Sequence, residues 1–297
     1  MRWFPLFALA ACGPFHTSQQ APEQVTPLEG LNTPFDDFNA AKPAHWQRIV
    51  WSTNRGSEGQ HLDVWTAELA WAKTPRVVHA AAPFEPELMS EKDERGPLVM
   101  RGSTFDRSLG VSATDVLAFA SDRDGGAGGL DLYWSRLAGR PERPEVVPFA
   151  QLNTAANEAY LTLPYGERTA MFATDRESGN YDLWEVTFGG SLDGEVTNLT
   201  RVAALSSDRD DTAPYVDRDM LVFASRRDGD DWDLYCANRA NGTWSPPKPI
   251  AIANSDQDEF RPSLFSIGAA NFMVFSSNRT GGAGGYDLYT VRLDGCR

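Results

Sequence analysis

The chain has 297 residues, a net charge of −14 and an apolar fraction of 41%. Such acidity repels phosphate backbones and anionic lipid, which argues against nucleic-acid binding and against adsorption to membranes by surface charge. Twenty-five glycines and 19 prolines, with no long amphipathic helical pattern, indicate an all-β chain rich in turns.

The first residues read as a targeting segment. Met1-Arg2 precedes an apolar run from Trp3 to Ala11, too short to span a bilayer and built like the core of an export signal. Leu9-Ala10-Ala11-Cys12 resembles a bacterial lipobox, where cleavage precedes a cysteine that is then lipidated. The expectation is a signal peptide over 1–11 and a lipidated Cys12 opening a polar, Pro-broken tether over 12–22. A plain export signal, or a chance apolar start, is the alternative. The protein is then exported and held in the bacterial envelope through its lipid anchor, facing the periplasm or the cell surface.

From Arg48 onward one sentence recurs five times: RIVWSTNRGSEGQHLDVW, then VLAFASDRDGGAGGLDLY from Val116, AMFATDRESGNYDLW from Ala170, LVFASRRDGDDWDLY from Leu221 and MVFSSNRTGGAGGYDLY from Met273. The arginines that anchor the alignment, Arg55, Arg123, Arg176, Arg227 and Arg279, are spaced by 68, 53, 51 and 52 residues. Units of this size must stack to bury a core. Each opens on a nearly continuous apolar run, as in a strand covered on both faces. A glycine-rich turn leads to Asp-Leu-Tyr or a variant at Asp63, Asp131, Asp182, Asp233 and Asp287. The arginine-to-aspartate interval is eight or six, which preserves the facing of a period-two strand.

A polar element with an acid precedes each hairpin: Asn32-Thr33 with Asp36-Asp37, Ser103-Thr104 with Asp106, Asn153-Thr154 with Asn157-Glu158, Ser207 with Asp210-Asp211, and Asn254-Ser255 with Asp258-Glu259. A fourth element follows it, as in Glu145–Pro148, Glu195–Asn198 and Trp244–Pro246. Four short strands make one propeller blade. The surplus in the first interval is read as a surface insertion over 81–100, the expected seat of specificity. The fifth unit lacks its fourth strand. The segment 23–31 resembles Glu195–Leu199 and is expected to supply that strand and close the ring, which removes two free sheet edges. The prediction is a single five-bladed β-propeller over 23–297.

The pattern F-[AS]-[ST]-[DN]-R-x-G-G…D-L-Y resembles the WD40-like repeat of the TolB propeller family, over essentially all of residues 23–297. The resemblance implies an envelope β-propeller. The α/β domain, hydrolase domain or peptidoglycan-binding module that accompanies the propeller in members of that family has no counterpart in this sequence.

Chemistry is sparse. The repeated Arg55/Asp63, Arg123/Asp131, Arg176/Asp182, Arg227/Asp233 and Arg279/Asp287 recur once per unit. They are expected to brace hairpins, the Asp accepting turn N–H groups or pairing the Arg fork. A catalytic site needs unlike groups in one place. The clusters Asp208-Asp210-Asp211 and Asp228-Asp230-Asp231-Asp233 could offer oxygens to calcium, but Trp232 interrupts the second, and no cofactor or metal is expected. The runs Gly125–Gly129 and Gly281–Gly285 precede strands rather than helices, so they read as turns and not as phosphate cradles. His16, His45, His61 and His79 lack metal-ligand spacing, and no G-x-S-x-G elbow occurs. Cys236 and Cys296 lie at or just after Asp-Leu-Tyr strands, and export permits a disulfide between them, two separate, inert thiols being the alternative.

The resulting expectation is a monomeric, non-enzymatic lipoprotein whose propeller is a scaffold for a protein or peptide of the envelope. The alternative is a five-bladed glycosidase using funnel carboxylates; Glu58, Glu85, Glu87 and Glu185 are acids off the repeat pattern, without a context to rank them.

Overall fold

The computed structural model describes residues 24–43, 46–70, 75–100, 115–137, 145–164, 167–267 and 270–296. Its strands form five antiparallel sheets. The first strands are Asp37–Ala41, Glu94–Met100, Glu158–Thr162, Asp211–Asp217 and Glu259–Ile267. Each touches the first strand of the next blade, and the last touches the first, so these five strands surround an axis. The architecture is a five-bladed β-propeller, as the repeat predicts.

The second strands, such as Val116–Ser121 and Met220–Ser225, are almost wholly buried. They lie between neighbouring blades, which explains why their sequence is continuous rather than alternating. Each pairs in strict register with its Asp-Leu-Tyr strand, with Thr53, Ser121, Thr174, Ser225 and Ser277 opposite Asp63, Asp131, Asp182, Asp233 and Asp287. The parity of the hairpin arms is therefore kept whatever the turn length.

Ring closure is also as expected. Thr26–Pro27 pairs antiparallel with the strand Asp287–Arg292, Thr26 opposite Thr290 and Pro27 opposite Tyr289. Leu28 donates its N–H to the Leu288 carbonyl at 2.9 Å, and the Leu28 and Leu31 side chains are buried. Cys236, on the third strand of blade four, is joined to Cys296 in the C-terminal tail by a disulfide with a Cα–Cα distance of 5.5 Å.

Blade two corrects the reading of 81–100 as an inserted loop. Arg76–Pro83 is the outer strand of blade one, Pro86–Leu88 a 3-10 turn, and Glu94–Met100 the first strand of blade two. The extra residues of the long interval fall instead between Met100 and Val116, where 101–115 replaces the short links 42–47, 163–168, 218–219 and 268–269 of the other blades. Charge and proline suggested a surface loop. Yet Glu94 is fully buried, and Glu94-Arg95-Gly96-Pro97 stands where Asp211-Thr212-Ala213-Pro214 and Glu259-Phe260-Arg261-Pro262 stand in blades four and five. The polar element of blade two is Ser90 with Glu94, the Ser90 hydroxyl donating at 2.5 Å. Ser103, Thr104 and Asp106, and the whole of 1–22 including Cys12, lie outside the described residues.

Candidate functional site at the propeller axis

Two fivefold polar devices frame the axial end of the ring. In the first, each repeated arginine reaches past its own hairpin. Its guanidinium pairs with a fully buried acid at the start of the first strand: Arg55 with Asp37, Arg123 with Glu94 (2.9 Å), Arg176 with Glu158 (3.2 Å), Arg227 with Asp211 (2.6 Å) and Arg279 with Glu259 (2.9 Å). The same guanidinium also donates to the carbonyl of Leu31, Leu88, Leu152, Leu205 or Ala253. Aromatic rings flank it, for example Phe275 at 5.2 Å and Tyr289 at 4.9 Å around Arg279. The arginine fork therefore does not go to the Asp of its own Asp-Leu-Tyr strand. Asp131 and Asp287 accept turn N–H groups from Ala127 and Ala283, Asp182 pairs with Arg201 (2.7 Å), and Asp63 lies 3.6 Å from His61. Burial, aggravated by Asp231, Glu259 and Asp228, pushes the Asp233 carboxyl up to about 6.

In the second device the residue before each buried acid latches the preceding blade. Asp93, Asn157, Asp210, Asp258 and Asp36 accept from the backbone N–H of Leu62, Leu130, Tyr181, Trp232 and Tyr286, each at 2.9 Å. The carbonyls of those same residues accept in return from the N–H of Glu94, Glu158, Asp211, Glu259 and Asp37 at 2.6–2.7 Å. These bonds engage the acid pairs that the sequence repeats. Four of the five latch carboxylates or amides are engaged through both polar atoms. Asp210 differs, since its second oxygen takes no hydrogen bond from a described residue.

Unlike groups meet where the repeat varies. The residues preceding the Asp-Leu-Tyr strands are Leu62 and Leu130 in two blades but Tyr181, Trp232 and Tyr286 in the other three. With Phe38 and Phe260 from the first strands they build an aromatic mouth. Phe38 stacks on Phe260 at 5.2 Å and 16°, Tyr286 lies 4.6 Å from Phe38, and Trp232 meets Phe260 edge-on at 5.1 Å. Phe38, Trp232 and Tyr286 are half-buried and so keep ring surface accessible. Charged groups rim them. Arg226 sits 4.5 Å over Trp232, Arg95 donates to Asp93 at 3.0 Å, and the Tyr286 hydroxyl donates to Asp258 at 2.7 Å. Burial and the Asp258 carboxylate push the Tyr286 phenol well above its ordinary range, so it remains a donor. Burial does the same to Tyr181.

Beneath the mouth every first strand carries a bulge, and the bulged residue has positive φ in all five: Asn39, Gly96, Tyr160, Ala213 and Arg261. The backbone conformation is constant while the side chains are unrelated. Tyr160 crosses from blade three to meet Phe260 of blade five at 5.6 Å, with Arg261 5.4 Å over its ring. The space for Tyr160 exists because position 96 is glycine: a Cβ there would lie 2.5 Å from Tyr160 Cδ1.

The unique acids read from the sequence do not reach the first strands. Glu58 is on a hairpin turn, Glu85 and Glu87 on the link into blade two, and Glu185 on a third strand, accepting from Trp244 Nε1 at 3.0 Å. The acidic clusters are dispersed into separate bonds, with Asp211 on Arg227, Asp210 on Tyr181 and Asp228 on the Tyr235 hydroxyl (2.6 Å). Among the described residues no three or more His, Cys, Asp or Glu side chains are grouped to hold a metal ion, and no helix is long and apolar enough to cross a membrane.

No family model matches the chain, and no curated protein matches it in sequence. Solved structures do match in fold. An endo-arabinase from Bacteroides thetaiotaomicron superposes with a TM-score of 0.54 at 14% identity, over 91% of this chain and 98% of that one. The arabinanase of Bacillus subtilis gives 0.53 at 10%, over 89% and 96%. The catalytic domain of a GH62 α-L-arabinofuranosidase from Coprinopsis cinerea gives 0.55 at 12%, over 93% and 100%. At such identities the likeness shows the fold. It corrects the expectation of a TolB-type, WD40-like, non-enzymatic scaffold for a protein or peptide, because these end-to-end matches are glycosidases. The F-x-x-x-R…D-L-Y sentence encodes the brace and hairpin of a blade, which says nothing of what the axis holds.

Proposed function

We propose that the chain is a carbohydrate-active propeller that hydrolyses glycosidic bonds in arabinose-type glycans. The observation that carries the reading is the mouth itself: Phe38, Trp232 and Tyr286 offer ring faces beside Arg95, Arg226, Asp210 and Asp258. Sugar rings present C–H faces to aromatic surface and hydroxyls to charged and amide groups, so such a mixed, half-buried patch suits a glycan. The five-bladed glycosidase neighbours support the same reading by architecture.

Hydrolysis requires two carboxylates, one to protonate the leaving oxygen and one to activate water or attack the sugar. Asp37, Glu94, Glu158, Asp211 and Glu259 are unsuited, being fully buried and neutralised by arginine. Asp210 and Asp258 are the better pair. They open adjacent first strands beside the aromatic residues, Asp210 has an uncommitted oxygen, and Asp258 is oriented by the Tyr286 hydroxyl and the Trp232 N–H. Export and lipidation at Cys12 belong to the same proposal and rest on Leu9-Ala10-Ala11-Cys12.

The test is reducing-sugar release from linear and branched arabinan, alongside nitrophenyl α-L-arabinofuranoside and β-D-xyloside. Activity is expected on at least one arabinose-containing substrate. Asp210→Asn and Asp258→Asn should each lower kcat at least 100-fold, an effect on the order of a lost general acid or base, with folding intact by circular dichroism. No turnover and no binding of any of these glycans by the folded wild type sinks the proposal.

A further inference from the structure

The bulge residues on the axis contain a charge without a partner. Among the described residues, the fully buried Arg261 side chain makes one hydrogen bond, from Nη1 to the Pro214 carbonyl at 2.9 Å, and Nε and Nη2 have no acceptor. Among the described residues, the ionisable groups that act on it are the phenols of Tyr160 and Tyr215, and no carboxylate is among them. Burial lowers the guanidinium only to about 10, so it stays charged at neutral pH. The phenols cannot compensate it, because burial raises both, Tyr215 to about 12. On the next blade Asn39, also fully buried, lies beside the Tyr160 phenol, yet neither of its amide atoms makes a well-formed hydrogen bond. Gly96 and Ala213 occupy two of the five axial positions with little or no side chain.

An ion removed from water without a counter-charge costs several kcal/mol, and native proteins rarely leave two donors of a buried guanidinium unsatisfied. We propose that the propeller axis binds a monovalent anion of chloride size, held by Nε and Nη2 of Arg261 and by Nδ2 of Asn39. The ion supplies the missing acceptor to three donors at once and neutralises the one axial charge that no carboxylate meets. The same charge disfavours a cation at this position. The site lies under the aromatic mouth, since Tyr160 touches both Arg261 and Phe260, and so couples the anion to the packing of the proposed glycan surface.

Thermal unfolding of the full chain in sodium chloride against sodium gluconate, at constant ionic strength, tests this. A ligand that binds only the folded state at tenfold its Kd stabilises by about 1.4 kcal/mol, a rise of about 3 °C for a domain of this size. The rise should saturate with chloride, be reproduced by bromide, and vanish in Arg261→Met. Should that variant not fold, Asn39→Ala serves, with the chloride midpoint moved at least fivefold upward. Crystals grown in bromide should show an anomalous peak within hydrogen-bonding distance of Arg261 Nε. Equal melting in chloride and gluconate, a chloride effect that persists in Arg261→Met, or water alone at that position overturns the proposal.

Discussion

Replacing Arg279 by alanine tests the brace that recurs in every blade. Glu259, its partner, has no exposed side-chain surface, and Arg279 itself is only 19% exposed. The substitution strips the carboxylate of a 2.9 Å charge-assisted bond and removes a cation held between Phe275 and Tyr289. The Ser255 N–H and hydroxyl and the Ser277 hydroxyl remain as neutral donors at 2.6–2.9 Å. Leaving a buried charge unpaired costs about 3–5 kcal/mol. At roughly 2–4 °C per kcal/mol for a chain of this size, the melting point should fall by about 10 °C. Urea unfolding followed by tryptophan fluorescence measures the loss. A double-mutant cycle locates it, with Arg279→Met and Glu259→Gln expected to couple by about 2 kcal/mol. Arg279→Met and Asp287→Asn should be close to additive, because Asp287 bonds its own turn. A cost below about 1 kcal/mol, or stronger coupling to Asp287 than to Glu259, would refute the assignment of the brace.

Two further outcomes follow from the geometry. Asp233 accepts no hydrogen bond from a described residue, and its raised folded-state pKa means that the folded protein binds its proton more tightly than the unfolded chain does. Its penalty is absent below pH 3.8, grows as pH rises to about 6, and is constant above. Asp233→Asn should therefore leave stability unchanged at the acid end and raise it above pH 6, by less than about 1 kcal/mol because the group is partly solvent-screened; a gain that is largest at low pH contradicts this. Gly284→Ala should destabilise by about 2–3 kcal/mol, because the new Cβ would lie 2.3 Å from the carbonyls of Thr33 and Phe35, where backbone cannot yield. Gly281→Ala, which meets no atom within 4 Å but has φ +93°, should cost only about 1 kcal/mol of backbone strain; equal losses at the two sites count against the close-approach argument.

Blade number, hairpin parity and closure by Thr26–Pro27 were legible because each repeats or completes a pattern along the chain. Blade two misled because its first strand, Glu94-Arg95-Gly96-Pro97, carries the charge and proline of a loop. Only its position relative to Pro214 and Pro262 betrays it. The brace was half legible: the arginines stood out, but their partners lie 16–29 residues upstream on the first strand, a distance no local motif encodes. The mouth was hidden because it is built from columns in which the repeat disagrees with itself. Lining up the bulge residues Asn39, Gly96, Tyr160, Ala213 and Arg261, or the series from Leu62 to Tyr286, would have found it; attention to what recurs passes over it.

The pairing of Thr26 with Thr290 also fixes an order of events. The segment that leaves the ribosome early is the one that blade five needs last. Until the final strand emerges, Thr26–Pro27 has no partner, and the first strand of blade one lacks the Tyr286 carbonyl that its Asp37 N–H will bond. A partly synthesised chain is thus an open arc with two raw edges. It becomes a sealed body only when Thr26–Pro27 meets the strand Asp287–Arg292.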